Sequence, residues 1–154
     1  MSEYLLKLIG AFFGSMGFGY LFHVRNRNLI IGSIGGVIGI VIYLLCTDML
    51  KINVFMSSFI AGFGCDLYSE IMARVFKAPS TTFFMVAFLP LVPGGSLYYC
   101  IENIVSQNST LAIQFGIKTF LTALGIALGM SVGWALCDLL RKIGSIRKNR
   151  LYIK

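Results

Sequence analysis

Asp66, Glu70 and Arg74 recur every four residues, so a helix carries all three along one stripe. Glu70 ahead of Arg74 is the favourable i,i+4 order, and an ion pair is enough to account for Glu70. At a rise of ~1.5 Å per residue, Glu70 lies about 6 Å and Asp66 about 12 Å beyond the level of Arg74. The residues around Asp66 are mostly apolar. A carboxylate at that depth is costly and must face a cavity or a partner. The chemistry open to it is proton or cation coupling, with Glu70 and Arg74 beside it. A hydrogen bond or ion pair to another helix is the structural alternative.

A second constellation lies at residues 88–99, FLPLVPGGSLYY. Pro90 and Pro93 remove backbone donors, and Gly94-Gly95 permits an unwound chain. Inside a bilayer, freed backbone groups persist only where protein or a wet cavity satisfies them, so such a break points to a transport path. Upstream, Ala78-Pro79-Ser80-Thr81-Thr82 predicts a helix start with Ser80 or Thr81 as N-cap. A second half-helix is expected near Ser96, and its N-terminus would offer N–H groups to a carboxylate. Pro90, Pro93, Gly94, Gly95, Ser96 and Tyr98 form the expected substrate path. A proline kink satisfied by neighbouring helices is the plainer reading.

These residues must be held by membrane-spanning helices. The 154 residues are 57% hydrophobic and 12% charged, and mean hydropathy is +0.84, which is unlike a soluble domain of this size. Crossing the hydrocarbon takes about 20 helical residues. Five segments qualify, at about 4–22, 29–47, 52–73, 81–105 and 112–140. The expected fold is one all-α integral membrane domain whose fourth span is broken at the Pro-Gly-Gly run, followed by a basic tail, residues 141–154.

Basic residues set the orientation. Arg25 and Arg27 follow the first span, Arg74 and Lys77 the third, and Arg141, Lys142, Arg147, Lys148, Arg150 and Lys154 the fifth, together ten of the thirteen Lys and Arg. With five crossings these ends share one side. The positive-inside rule then places the N-terminus outside and the tail in the cytoplasm, in the plasma membrane. A hairpin at Pro90–Gly95 would instead put the tail outside, so the fourth segment is expected to cross.

The net charge of +7 does not imply nucleic acid, because the basic residues border apolar spans rather than a surface with stacking aromatics. An anionic leaflet explains them. Cys46, Cys65, Cys100 and Cys137 are widely spaced, and His23 is the single histidine, so no metal site is expected. No cofactor is implied, and without a nucleophile–base pair an enzyme is not expected. Asp138 and Glu102 fall near predicted boundaries, and Lys118 is expected to snorkel outward.

Glycines mark the helix faces. Gly10, Gly14 and Gly17, then Gly32/Gly36 and Gly35/Gly39, then Gly125, Gly129 and Gly133 stand at spacings that let backbones approach closely.

Arg74, Pro79, the run Phe88-Leu89-Pro90-Leu91-Val92-Pro93-Gly94-Gly95 and Tyr98 resemble the threonine/serine exporter family, in its small-subunit form equivalent to the second half of full-length members. The resemblance implies a separate larger partner subunit supplying the other half, and two odd-numbered units in inverted topology would share a midplane site. It also implies secondary export of small carboxylate-bearing metabolites, threonine/serine or dicarboxylates such as succinate. No G-x-x-x-x-G-K-[ST] motif is present to bind nucleotide. The alternatives are a non-transporting assembly subunit, whose partner holds the site, and a homo-oligomeric pore. A higher oligomer is compatible with each.

Overall fold

A computed structural model describes the backbone of Ser2–Leu151 and the side chains of residues 3–143. The helices are α1 (Ser2–Leu21), α2 (Asn26–Leu44), α3 (Val54–Phe76), α4 (Ser80–Ala87), α5 (Gly94–Val105) and α6 (Ser109–Leu151). A π-turn, Leu45–Met49, extends α2, and a 3₁₀ turn, Leu89–Leu91, follows α4. No strand occurs among the described residues. The basic residues Arg147, Lys148, Arg150 and Lys154 lie outside the described side chains. The backbone of α6 runs on through most of the expected tail to Leu151.

Three helices end in the same way, without glycine. The N–H groups of Val24, Ala78 and Asn108 donate to the carbonyls of Gly19, Ala73 and Asn103, five residues back. His23, Lys77 and Gln107 sit between them in the left-handed region, at φ 56°, 50° and 56°. This stop satisfies two orphan carbonyls at the ends of α1 and α5, whereas at the end of α3 the N–H groups of Lys77 and Ala78 share the Ala73 carbonyl. It costs about 1 kcal/mol of backbone strain for a residue with a Cβ.

The Pro-Gly-Gly break is tighter than the unwound segment expected. Leu91 N–H donates to Phe88 O (2.9 Å), Val92 N–H to Leu89 O (3.2 Å) and Gly94 N–H to Val92 O (2.7 Å). Short-range bonds thus close most of the backbone that Pro90 and Pro93 interrupt. α5 starts at Gly94 rather than near Ser96, and the two halves bend by 44°.

That bend does not return the chain to the end it came from. Along α6, Gly125 lies against Phe55 and Ser58, Gly129 against Phe59 and Phe63, Gly133 against Asp66, and Arg141 against Glu70. Residue numbers rise together on both helices, so α3 and α6 run parallel. The segment between them must carry the chain back along the length of α3, and a re-entrant hairpin would have made the pair antiparallel. α4 and α5 therefore cross as one broken segment.

The packing rests on small residues. Ala61, Cys65, Ala87, Leu91 and Ile126 form the core where α3, α4, the 3₁₀ turn and α6 meet. A methyl group at Gly62 would stand 2.9 Å from Ile126 O, so backbone touches backbone there. On α2, Gly32 faces Val86, Gly35 faces Tyr68 and Ala87, and Gly39 faces Cys65. Buried Ser33, Ser58 and Ser69 donate to carbonyls one turn back in their own helices, which lets them pack as small residues.

α1, α2 with its π-turn, and α6 are each long and apolar enough to cross a membrane, and α4 with α5 qualifies as a bent pair. α3 falls short by composition because it carries the charged stripe. Its 23 residues extend roughly 35 Å, which exceeds the hydrocarbon thickness of about 30 Å. α2, α4 and α6 pack around it, so protein rather than lipid meets its polar face.

Candidate functional site

The stripe on α3 is the most polar part of the helical interior. Asp66 is 7% exposed and Glu70 4%. Arg141 on α6 donates to Glu70 Oε2 at 3.2 Å, and Arg74 approaches the same oxygen at 3.9 Å. Glu70 is thus neutralised from two helices. Asp66 is not. No described side chain forms an ion pair with it, and its buried Oδ2 has no hydrogen-bond partner among the described residues. A methyl group at Gly133 would sit 2.6 Å from that oxygen, so α6 covers Asp66 at a glycine.

Two cavities adjoin the stripe. One, of about 300 Å³, is lined by Asp66, Ser80, Thr81, Phe84, Met130, Ser131 and Trp134. The other, of about 320 Å³, is lined by Glu70, Arg74, Arg141 and the chain entering α4, and again by Ser80 and Thr81. Sequence reasoning expected Ser80 or Thr81 to cap α4. Pro79 occupies that position and the helix has no side-chain cap bond. The two residues instead stand in the first turn, where both cavities meet.

The expected substrate-path residues lie elsewhere. Pro90 lines a separate cavity of about 450 Å³ between α1 and α2, with Lys7, Gly14, Ser15 and Tyr43. Ser15 is fully buried there, without a partner for its hydroxyl among the described residues. Gly94 and Gly95 meet no atom of the described residues within 4 Å of where a Cβ would stand. Ser96 Oγ bonds only Pro93 O, at 3.5 Å, and Tyr98 is 64% exposed. Asp66, Glu70 and Arg74 are brought together; Pro90 and the Gly94–Tyr98 turn are not brought to them.

A family model described as "Threonine/Serine exporter, ThrE" matches residues 7–135. The chain belongs to the threonine/serine exporter family. No curated protein and no solved structure matches it. In this exporter-family chain the match spans Asp66, the break and Trp134 and stops short of Arg141.

Arg141 is the residue that sequence reasoning assigned to the tail and the fold assigns to the site. A signal for it was present. Positions 125, 129, 133, 137 and 141 continue one stripe at intervals of four, so a face that packs its glycines on α3 also presents Cys137 and Arg141. Trp134 and Ser131 carried no comparable signal. Asp138 pairs with Lys142 at 2.8 Å near the same end. Glu102 and Lys118 are exposed. The basic ends also gather as expected: Arg27 stacks on Phe76 at 4.9 Å, and Arg25 lines a cavity with Thr81 and Thr82.

Proposed function

We infer that this chain is the membrane subunit of a secondary, proton-coupled exporter of small carboxylate-bearing metabolites, threonine/serine or dicarboxylates such as succinate. It acts with a larger partner subunit in the plasma membrane, N-terminus outside and basic end cytoplasmic. The observation that carries the reading is Asp66: a buried carboxylate with an unpaired oxygen, beside a cavity, in an exporter-family chain. A purely structural carboxylate would be expected to find a partner, as Glu70 does. Proton binding and release at Asp66 then couple the gradient to substrate movement, and Pro90, Pro93, Gly94, Gly95, Ser96 and Tyr98 contribute to the path.

Two features support the partner subunit. Gly17, Gly94 and Gly95 meet none of the described residues within 4 Å, and Gly10 and Gly14 border only the cavity between α1 and α2, whereas the glycines of α2 are packed. Open small-residue faces suit a second helical unit. The same openness favours, as second reading, an assembly subunit whose partner holds the whole site.

The test is efflux of serine, threonine and succinate from loaded cells expressing this chain alone, with the partner, and with the partner plus Asp66→Asn. The expected result is flux that needs both subunits and is lost in the mutant while the complex stays intact. Flux indifferent to Asp66 would defeat the coupling role. Conduction by this chain alone, without a proton gradient, would establish the pore.

A further inference from the structure

The turn between α1 and α2 has a cavity on each side. One, of about 560 Å³, is lined by Tyr20 and residues 23–27. The other, of about 310 Å³, runs from the same turn to Thr81, Thr82 and Met85 of α4. His23, Val24 and Arg25 line both, so the two cavities meet at one imidazole and one guanidinium. Backbone bonds hold the turn in this shape: the N–H groups of Phe22, His23 and Val24 donate to the carbonyls of Phe18, Tyr20 and Gly19 at 3.0, 3.0 and 3.1 Å.

Charge distinguishes this place from the rest of the basic end. Arg74, Arg141 and Lys142 each meet a carboxylate, at 3.9, 3.2 and 2.8 Å. Arg25 and Arg27 meet none among the described residues, and no Asp or Glu among them lines either cavity. Arg27 is nonetheless held, because its guanidinium lies 4.9 Å from the centre of the Phe76 ring. Stacking occupies the face of that group and leaves its edge N–H donors open. Two arginines beside a cavity without a counter-charge call for an anion, and a phosphate accepts charge-assisted hydrogen bonds from both. The start of α2 adds to this demand, since no side chain caps its first turn.

The apolar neighbours decide which phosphate. Tyr20, Phe22 and Met85 line the cavities and are exposed on their outer side, as is Leu21 between the first two. A soluble phosphate ester leaves these side chains bare. A phospholipid covers them with its chains while its headgroup enters the cavities, and basic pockets between spanning helices suit acidic headgroups. A zwitterionic headgroup brings its own cation and gains less from unmatched arginines.

We propose that the α1–α2 turn and the start of α4 form a site for one acidic phospholipid. Its phosphate lies on Arg25, Arg27 and His23, and its chains lie along Tyr20, Phe22 and Met85. Thr81 also lines both cavities beside the α3 stripe, so the bound headgroup rests against a wall of the Asp66 site. Lipid binding depends on none of the residues assigned to coupling.

The test is native mass spectrometry of the full chain in detergent, titrated with phosphatidylglycerol, phosphatidylcholine or glycerol phosphate. The first phosphatidylglycerol is expected to bind about tenfold more tightly than phosphatidylcholine, or better, and glycerol phosphate should not displace it. Arg25→Gln should weaken phosphatidylglycerol about thirtyfold, the loss of a hydrogen bond to a charged group. Lys142→Gln removes a charge from the same end but outside the cavities, and should cost at most the roughly fivefold of diffuse attraction. His23→Gly removes the imidazole yet suits the φ of 56° at that position. It should therefore weaken phosphatidylglycerol while thermal stability in phosphatidylcholine is kept or raised, a pairing that misfolding cannot produce. Equal affinity for the two lipids, or equal losses in Arg25→Gln and Lys142→Gln, would reduce the site to diffuse attraction and overturn the proposal. Unchanged phosphatidylglycerol binding in both Arg25→Gln and His23→Gly would do the same. Displacement by glycerol phosphate at matching concentration would make the occupant a soluble ester and overturn the lipid assignment.

Discussion

Glycine has opposite consequences at the α3–α6 seam and at the Pro-Gly-Gly turn. Along the seam, Gly125, Gly129 and Gly133 remove side chains so that α6 can rest on the backbone of α3 and on Asp66. At the turn, Gly94 and Gly95 face open space, and neither adopts a positive φ. The seam is therefore completed within this chain, while the turn has a surface that the described residues do not cover. Composition alone makes both regions look like signals for function. Packing separates them: one holds the charged stripe in place, and the other is available for contact.

The comparison breaks most readily at Gly129. Any Cβ there falls on the Phe59 carbonyl, and α6 cannot move away without releasing its contacts from Phe55 to Glu70. Gly129→Leu is expected to cost about 3 kcal/mol or more, the upper range of overpacking. Thermal unfolding and gel filtration in mild detergent check this. A monodisperse protein of unchanged stability would mean that the seam is not closed as described.

The stripe gives a smaller effect and ranks its two arginines. Arg141 lies closer to Glu70 than Arg74 does, at 3.2 Å against 3.9 Å, and Glu70 is buried. Losing a charge-assisted hydrogen bond to a buried carboxylate costs about 1.5 to 3 kcal/mol, and the exposure of both arginines places the expected loss at the low end. Arg141→Gln should therefore destabilise by about 1.5 kcal/mol and Arg74→Gln by less than half of that. Equal losses would show that Glu70 does not distinguish them.

Much of this was legible in the chain because helical periodicity is local. The stripe 66–70–74, the glycine faces of α2 and α6 and the broken fourth segment follow from spacing and from proline chemistry. The helix ends were less visible, since His23, Lys77 and Gln107 take the left-handed position that glycine usually marks. The site was half visible. Asp66, Glu70 and Arg74 share a helix, but the register of α6 against α3 brings Arg141 to Glu70, and it was read only as part of a basic tail. The placing of Ser80 and Thr81 depends on Pro79 taking the cap, a choice of one residue that local preference left open.

The smallest effect is the one that defines the open region. Gly94 is the first residue of α5, none of the described residues stands within 4 Å of its missing Cβ, and its φ suits any L residue. Alanine there should leave the chain's stability within about 0.5 kcal/mol of the parent, or raise it slightly, because alanine forms helix more readily than glycine. The same holds for Gly95. Bulk is a separate question: Gly94→Leu should leave the isolated chain folded and yet weaken its complex with the larger subunit or stop flux. Unfolding of the isolated Gly94→Leu chain would mean that the turn is packed from within, like the seam. Normal folding with normal assembly and flux would remove Gly94 from both the path and the interface. Only a folded chain with a lost complex or lost flux matches an open face that another surface is meant to cover.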